Sequence, residues 1–289
     1  MEHLFWWSGS LSLSPDGYKL LGPRHDKEMK TIINSILGKL DARIVRKSSF
    51  DKLVANESAF RDYALEKLIN KKAHFLEFFE NLPESKSQLR QDLFVLSEVG
   101  FKRDGFFVEF GATNGIDLSN SYLLENNFGW SGILAEPASI WHKELLNNRN
   151  VAIETKCVWR SSGDKLRFNE VNDPEFKGEL STIDSFSDSD EHSVRRKSGK
   201  KYEVETISLN DLLVKHGAPK QIDYLSVDTE GSEFEIMNAF DFDSFDIKVI
   251  TCEHNYTNSR KSLYELFTRN GYERKFPDFS LFDDWYVRL

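Results

Sequence analysis

Cysteine, long apolar runs and positive charge are all scarce in this 289-residue sequence, and each scarcity excludes something. Only Cys157 and Cys252 are present. Both fall in stretches that read as buried strands, so no disulfide framework is expected and the pattern suits a reducing cytoplasm. No run of about 18 apolar residues occurs, and no charged start followed by an apolar core opens the chain; neither a membrane span nor export is expected. Lys and Arg number 38 against 47 Asp and Glu, a formal net charge of −9. That balance opposes a surface that coats nucleic acid, and no nucleic-acid partner is expected. The length suffices for a sizeable core, in one large domain or one domain with an appendage.

The most informative stretch runs from 106 to 136. Phe106 to Phe110 reads as a buried strand, Gly111 to Gly115 as a glycine turn, Ser119 to Asn127 as a helix, and a second buried strand ends at Glu136. Ser119 stands where an N-cap belongs and Gly129 where a left-handed residue closes the helix. The helix N–H groups are then expected to face a ligand's carboxylate. A dinucleotide fingerprint has glycines at G-x-G-x-x-G, but here its first position is Glu109, followed by Gly111 and Gly115. A carboxylate there repels a pyrophosphate and suits a positive sulfonium with an amino-acid tail. Glu136 is placed to accept both hydroxyls of a ribose. The combination fits S-adenosylmethionine better than NAD.

Three segments carry a family resemblance. Val108 to Gly115, Val-Glu-Phe-Gly-Ala-Thr-Asn-Gly, resembles the first motif of the FkbM class I methyltransferases. Leu225 to Glu233 is similar to the second motif, and Ser87 to Val95, with Gln91 and Asp92, to the segment before the first strand. The resemblance spans roughly 87–289. It implies an α/β Rossmann-like fold, a mostly parallel seven-stranded sheet with helices on both faces and a hairpin at one edge. It further implies cofactor contacts from Gln91, Ala112, Asn114, Asn120, Pro137 and Asp228, beside Glu109, Gly111, Gly115, Ser119 and Glu136. The implied activity is S-adenosylmethionine-dependent O-methylation, a transferase reaction on a sugar hydroxyl of a polysaccharide, glycolipid or secondary metabolite.

Three regions are expected. Residues 1–28 lack periodicity, and Met29 opens a stretch that reads like a natural start, so the first segment receives no function. Residues 29–86 form a helical N-terminal extension with Ile32, Ile33, Ile36, Leu37 and Leu40 on one face. This extension is either a homo-oligomerisation or substrate-covering element or a pad against the sheet. Residues 87–289 form the methyltransferase domain. Within it, Ala138 to Asn147 reads as a helix, 151–158 as one strand whose end, Lys156 to Val158, flanks the adenine, and 159–171 as a hairpin. Residues 172–201 read as a long polar loop, either a lid over the acceptor or a solvated insertion, with His192 at its surface. Ser208 is expected to cap a short helix.

The chemistry is expected at two further strand ends. Ile222 to Val227 delivers Asp228 and Glu230, and Ile247 to Cys252 delivers Glu253, His254 and Asn255. A neutral hydroxyl needs a base or a metal. Asp228, His254 and Glu230 are the candidate catalytic residues. Alternatively Asp228, Glu253 and Asn255 hold Mg²⁺ through hard oxygen ligands, although Glu253 could instead pair with Arg260 or Lys261. Trp130, Trp141, Trp159 and Trp285 are core residues or stacking faces for a sugar. An N- or protein methyltransferase of the same fold is a further reading, opposed by the absence of an Asn-Pro-Pro-Tyr site after the fourth strand. A non-catalytic nucleotide-binding scaffold is opposed by the joint presence of Glu109, Gly111, Glu136 and Asp228.

Overall fold

The computed structural model describes residues 74–175, 177–190 and 192–289, together with Asp62, Ala64 and Leu65. Expectations for residues 1–28, the apolar face at 29–40 and most of the helical extension lie outside the described residues. The compact unit holding the sheet begins at Ala64.

The chain order is α1 (Phe75–Asn81), α2 (Gln91–Glu98), β1 (Phe106–Phe110), α3 (Tyr122–Phe128), β2 (Ser131–Ala135), α4 (His142–Asn148) and β3 (Ala152–Glu154). There follow β4 (Cys157–Trp159), β5 (Lys165–Glu170), β6 (Thr182–Ile183), α5 (Ser193–Arg196), β7 (Lys200–Ser208) and α6 (Leu209–Lys215). The chain closes with β8 (Gln221–Val227), α7 (Glu233–Asn238), β9 (Asp246–Glu253), α8 (Ser259–Arg269), β10 (Tyr272–Lys275) and β11 (Asp283–Arg288).

Seven strands form the main sheet in the order β10-β11-β9-β8-β1-β2-β3. Five run parallel, and β11 runs antiparallel to both β9 and β10. The mostly parallel seven-stranded sheet with its edge hairpin is therefore present. Its strands read as continuous apolar runs because both faces are covered. Alternation along a strand sends neighbours to opposite layers: Phe107 joins a core with α2 and Trp285, and Val108 joins one with α7 and α8. Leu65 and Phe78 of α1 are buried in the first of these cores.

Four local expectations are corrected. The helix after the glycine turn begins at Tyr122, not Ser119, because residues 116–121 are drawn back onto a buried carboxylate. The following helix begins at His142 rather than Ala138. The single strand read over 151–158 is two strands in two sheets. The Glu154 carboxylate accepts from the Thr155 and Lys156 N–H groups, which turns the chain out of the main sheet. The hairpin read over 159–171 is also absent, because β4 and β5 do not pair with each other. Both pair with the nine-residue β7, β4 in parallel and β5 antiparallel, in a second sheet ordered β4-β7-β5-β6. Ser208 does cap α6, accepting from the Asp211 N–H at 3.1 Å.

Arg149, at the C-terminus of α4, organises the glycine turn from below. Its buried guanidinium donates to the Gly115 carbonyl at 2.9 Å, to Ser119 Oγ at 3.1 Å, to Ser121 Oγ at 2.9 Å and to Glu125. Each partner would lose a charged donor at once if the side chain became neutral. Arg149→Met is expected to cost about 3–5 kcal/mol of stability, read from the urea midpoint; a change below about 1 kcal/mol would show that water satisfies these partners instead.

Candidate functional site

The strand order reverses between β1 and β8, and open α/β sheets bind ligands at the carboxyl ends of such strands. A cavity of about 320 Å³ opens there. Gly111 is at φ 73°, and a Cβ on it would lie 2.1 Å from the Asp228 carbonyl oxygen. Both the backbone conformation and the close approach of β1 to β8 require glycine. A Cβ on Gly115, at φ 81°, would lie 2.7 Å from Arg149 and Leu145.

Glu109, the fourth residue of β1, turns its carboxylate beneath the loop. It accepts from Ser119 Oγ at 3.0 Å, from the Asn120 N–H at 2.7 Å and from Ser121 Oγ. Ser119 Oγ in turn accepts from the N–H groups of Ser121 and Tyr122. The donors expected to face a ligand's carboxylate are thus already engaged within the protein. The carboxylate that opposes a pyrophosphate is also the group that folds the loop.

Glu136 follows β2 and is buried, with Oε2 accepting from the Thr113 N–H at 2.8 Å and Oε1 from the Ala138 N–H at 2.7 Å. Burial pushes its carboxyl up to about 7 against those hydrogen bonds. Gln91, Glu109, Gly111, Ser119, Asn120, Glu136 and Pro137 all line the cavity. Gln91 is held by the Leu89 N–H and by donating to Asp283 at 3.1 Å. Ala112, Asn114 and Gly115 do not line it. The Asn114 side chain instead accepts from the Ile116 and Asp117 N–H groups and shapes the turn.

Asp228, Glu230, Glu253 and Asn255 converge on the opposite wall. Burial, reinforced by Glu233 and Glu109, pushes Asp228 up to about 7. Burial and the charges of Asp228 and Glu230 drive Glu253 well above the carboxylate range, and it shares a hydrogen bond with Asp228. Burial and Asp228 likewise push Glu230 up, against the pull of Arg196. Glu230 adopts φ 59°, and Glu233 holds its turn by accepting from the Thr229 and Gly231 N–H groups.

His254 is not brought to this wall. Its buried ring accepts from the Tyr256 N–H through Nδ1 and points Nε2 toward Asp284, 3.7 Å away, in a cluster with Arg260 and Arg274. Asp284 lies at about 2: burial raises it, but His254 and Arg260 together outweigh burial. Arg260 therefore pairs with Asp284 rather than Glu253. The four tryptophans are buried and absent from the cavity wall.

Several lining residues carried no sequence signal. Residues 178–181, Ile183 and His192, from the segment read as a polar loop, form one wall. That wall is anchored by Arg196, fully buried, which pairs with Asp190 at 2.7 Å and Glu230 at 2.6 Å and donates to the Leu180 carbonyl. Cys157 and Val158 line the cavity, whereas Lys156 pairs with Glu205 outside it. Thr113, Ser226, Tyr256 and Phe282 complete parts of the lining. Glu109, Asp117, Glu136, Glu179, Asp228, Glu230 and Glu253 all face the cavity, and among the described residues no Lys or Arg does. Such a surface favours cationic ligands and opposes phosphates.

Asp228, Glu230 and Glu253 each offer an oxygen within 4.8 Å of the others, a spacing that can hold a metal ion. The third member is Glu230 rather than Asn255, whose amide donates to Glu230 at 3.4 Å. Glu230 Oε2 already accepts from Arg196, and burial pushes Asp228 and Glu253 toward their protonated forms. Of these three carboxyls, only Glu253 Oε2 is a buried oxygen with no partner. A divalent ion would have to displace the guanidinium from Glu230 and ionise carboxyls that burial pushes toward protonation, so the arrangement does not fit Mg²⁺.

Residues 109–286 match the family described as "Methyltransferase FkbM domain". Comparison with curated proteins finds no match. Among solved structures, the chain is similar to the precorrin-6y C5,15-methyltransferase from Geobacter metallireducens GS-15, at TM-score 0.36 and 14% identity over 68% of this chain and 85% of that one. It is also similar to a chain of a fibrillarin/Nop5p complex, at TM-score 0.32 and 12% identity over 67% of this chain and 79% of the other.

The buried carboxyls make stability depend on pH. Glu136 and Asp228, both raised to about 7, keep protons in the folded chain that the unfolded chain releases near pH 4. The folded state binds more protons in that window, so stability falls as pH rises from about 4 to about 7. Asp284, held at about 2, acts in the opposite sense only below about pH 4. Urea midpoints of the ligand-free protein are expected to decline across the upper window and to decline less in Asp228→Asn; a midpoint rising toward pH 7 would contradict these shifts.

Proposed function

Because the chain belongs to the FkbM methyltransferase family, we propose that it is an S-adenosylmethionine-dependent O-methyltransferase whose donor and acceptor meet in the cavity between β1 and β8. The observation that carries this reading is the cavity wall with seven acidic side chains and, among the described residues, no Lys or Arg. A sulfonium ligand gains from that field, and a pyrophosphate ligand loses. The methyltransferase domain is assigned to 87–289, with residues 29–86 as a helical extension.

In this reading Glu136 accepts the ribose hydroxyls with the oxygen lone pairs left by Thr113 and Ala138, and Cys157 and Val158 flank the adenine. Asn120 donates its amide to Ser226 at 3.0 Å and leaves Oδ1 buried without a partner on the cavity wall. We assign that oxygen to the donor's ammonium. Glu109 acts through the loop, which it folds over the donor.

The acceptor is a hydroxyl, and a sugar is the acceptor class that the family resemblance suggests. Its oxygen attacks the methyl carbon in line with sulfur: the O–C bond forms, the S–C bond breaks, and the electron pair returns to sulfur to leave a neutral thioether. Positioning can supply roughly 7–11 kcal/mol of the barrier. The hydroxyl proton passes to Asp228, whose elevation to about 7 suits a general base that must accept a proton near neutrality. Glu253 shares the charge, Glu230 holds the wall to Arg196, and no step passes through a metal. The free, buried Cys157 and Cys252 support a cytoplasmic setting.

Titration calorimetry with S-adenosylmethionine and S-adenosylhomocysteine tests the donor half. Glu136→Ala is expected to weaken binding at least about tenfold, equivalent to about 1.4 kcal/mol. Asp228→Asn is expected to retain binding and lose about 10²- to 10⁴-fold in turnover. Binding of NAD in place of S-adenosylmethionine would overturn the reading.

A further inference from the structure

The acceptor half of the cavity carries a charge signature that bears on which hydroxyl compounds can enter. This inference rests on the methyltransferase reading above. Once a donor occupies the side of Glu136 and Asn120, the remaining wall includes Asp228, Glu230, Glu253, Glu179, Asn255, Tyr256 and His192. Among the described residues no Lys or Arg lines it, and Arg196 reaches the group only through Glu230, bonded besides to Asp190 and the Leu180 carbonyl. Among these residues His192 is the one lining side chain able to carry positive charge, and no Lys or Arg is placed to receive an anionic acceptor.

The second observation is an atom. Glu253 is 8% exposed, lines the cavity and leaves Oε2 buried without a hydrogen-bond partner. A buried acceptor oxygen without a donor costs about 1–3 kcal/mol, more when charged, until a ligand satisfies it. The groups facing it are Asp228, Glu230 and Glu233, all acidic, with Arg196 reaching the cluster only through Glu230. A divalent ion is disfavoured by the guanidinium held on Glu230 Oε2. A primary ammonium need not displace it, because it brings its own donors and one positive charge to Glu253.

We propose that the acceptor is a hydroxyl compound bearing a protonated amine near the reacting oxygen, that Glu253 Oε2 receives the ammonium, and that phosphorylated or carboxylated acceptors are excluded. The ammonium partly neutralises the cluster beside Asp228 while its neighbouring hydroxyl is turned toward that base. Tyr256, exposed at the mouth beside Asn255, both at positive φ, bounds the entry on this side.

The test uses the full chain saturated with S-adenosylhomocysteine, so that donor binding is verified before any acceptor is added. Three probes share a sugar ring: glucosamine, N-acetylglucosamine and glucuronic acid. Titrations are run below and above the pKa of the amine, with Mg²⁺ as a fourth probe. Glucosamine is expected to bind at least about tenfold tighter than N-acetylglucosamine at the lower pH, equivalent to about 1.4 kcal/mol. That preference should disappear above the amine pKa and in Glu253→Gln, while S-adenosylhomocysteine affinity in the variant stays unchanged. Glucuronic acid should not bind. Equal binding of the amine and the amide, binding of glucuronic acid, no saturable glucosamine binding, or Mg²⁺ binding lost in Glu253→Gln would each overturn the inference. Failure of S-adenosylhomocysteine to bind at all would overturn the methyltransferase reading instead.

Discussion

Repulsion among carboxylates gathered at one end of the sheet is the constraint on which the rest of this structure depends. Glu109 sits in β1, Glu136 follows β2, Asp228 follows β8 and Glu253 ends β9. Parallel strands deliver all four to the same edge, where low dielectric makes like charges costly. Each is answered differently. Glu109 receives two hydroxyls, one N–H and the nearby Arg149 guanidinium; Glu136 receives two N–H groups; Asp228 and Glu253 are pushed by burial toward their protonated forms. The loops around the cavity take their courses from these answers.

The segment between β5 and β7 has the same logic. As sequence it is a polar stretch of mixed charge, and most such stretches are solvated. Here Arg196 enters the interior and pairs with Asp190 from its own segment and Glu230 from the turn after β8. Thr182 adds a hydrogen bond to the Glu230 carbonyl at 2.9 Å. The insertion is therefore a wall of the cavity attached to the turn that carries Asp228. The insertion also packs at Gly178 against Ile140 and Trp141, a few residues after Glu136, so it borders both ends of the cavity.

Much of the fold was legible because its signals are local. The apolar runs of β1, β2, β8 and β9, the left-handed glycines and the Ser208 cap depend on residues a few positions apart. The errors arose where a distant partner decided the outcome. Glu154 bends its own backbone and so ends β3 early, and β7 supplies from afar the pairing that separates β4 and β5 into a second sheet. Ser119 accepts from the Tyr122 N–H as a cap does, but it also donates to Glu109, ten residues back, and that bond draws it out of the helix. His254 follows Glu253 on a strand end, but the strand alternation turns its ring to Asp284.

The sequence by itself determined the sheet, the glycine turn and the delivery of acidic residues to the strand ends, because periodicity, glycine conformation and strand direction are properties of short segments. It also carried the family resemblance, since the motifs are contiguous. Only the tertiary structure decided which of those acids face the cavity, which are pushed toward protonation, and which are bound by Arg149 or Arg196. The physical reason is that burial and pairing are set by groups tens of residues away, and the protonation of a carboxyl follows its surroundings rather than its place in the chain.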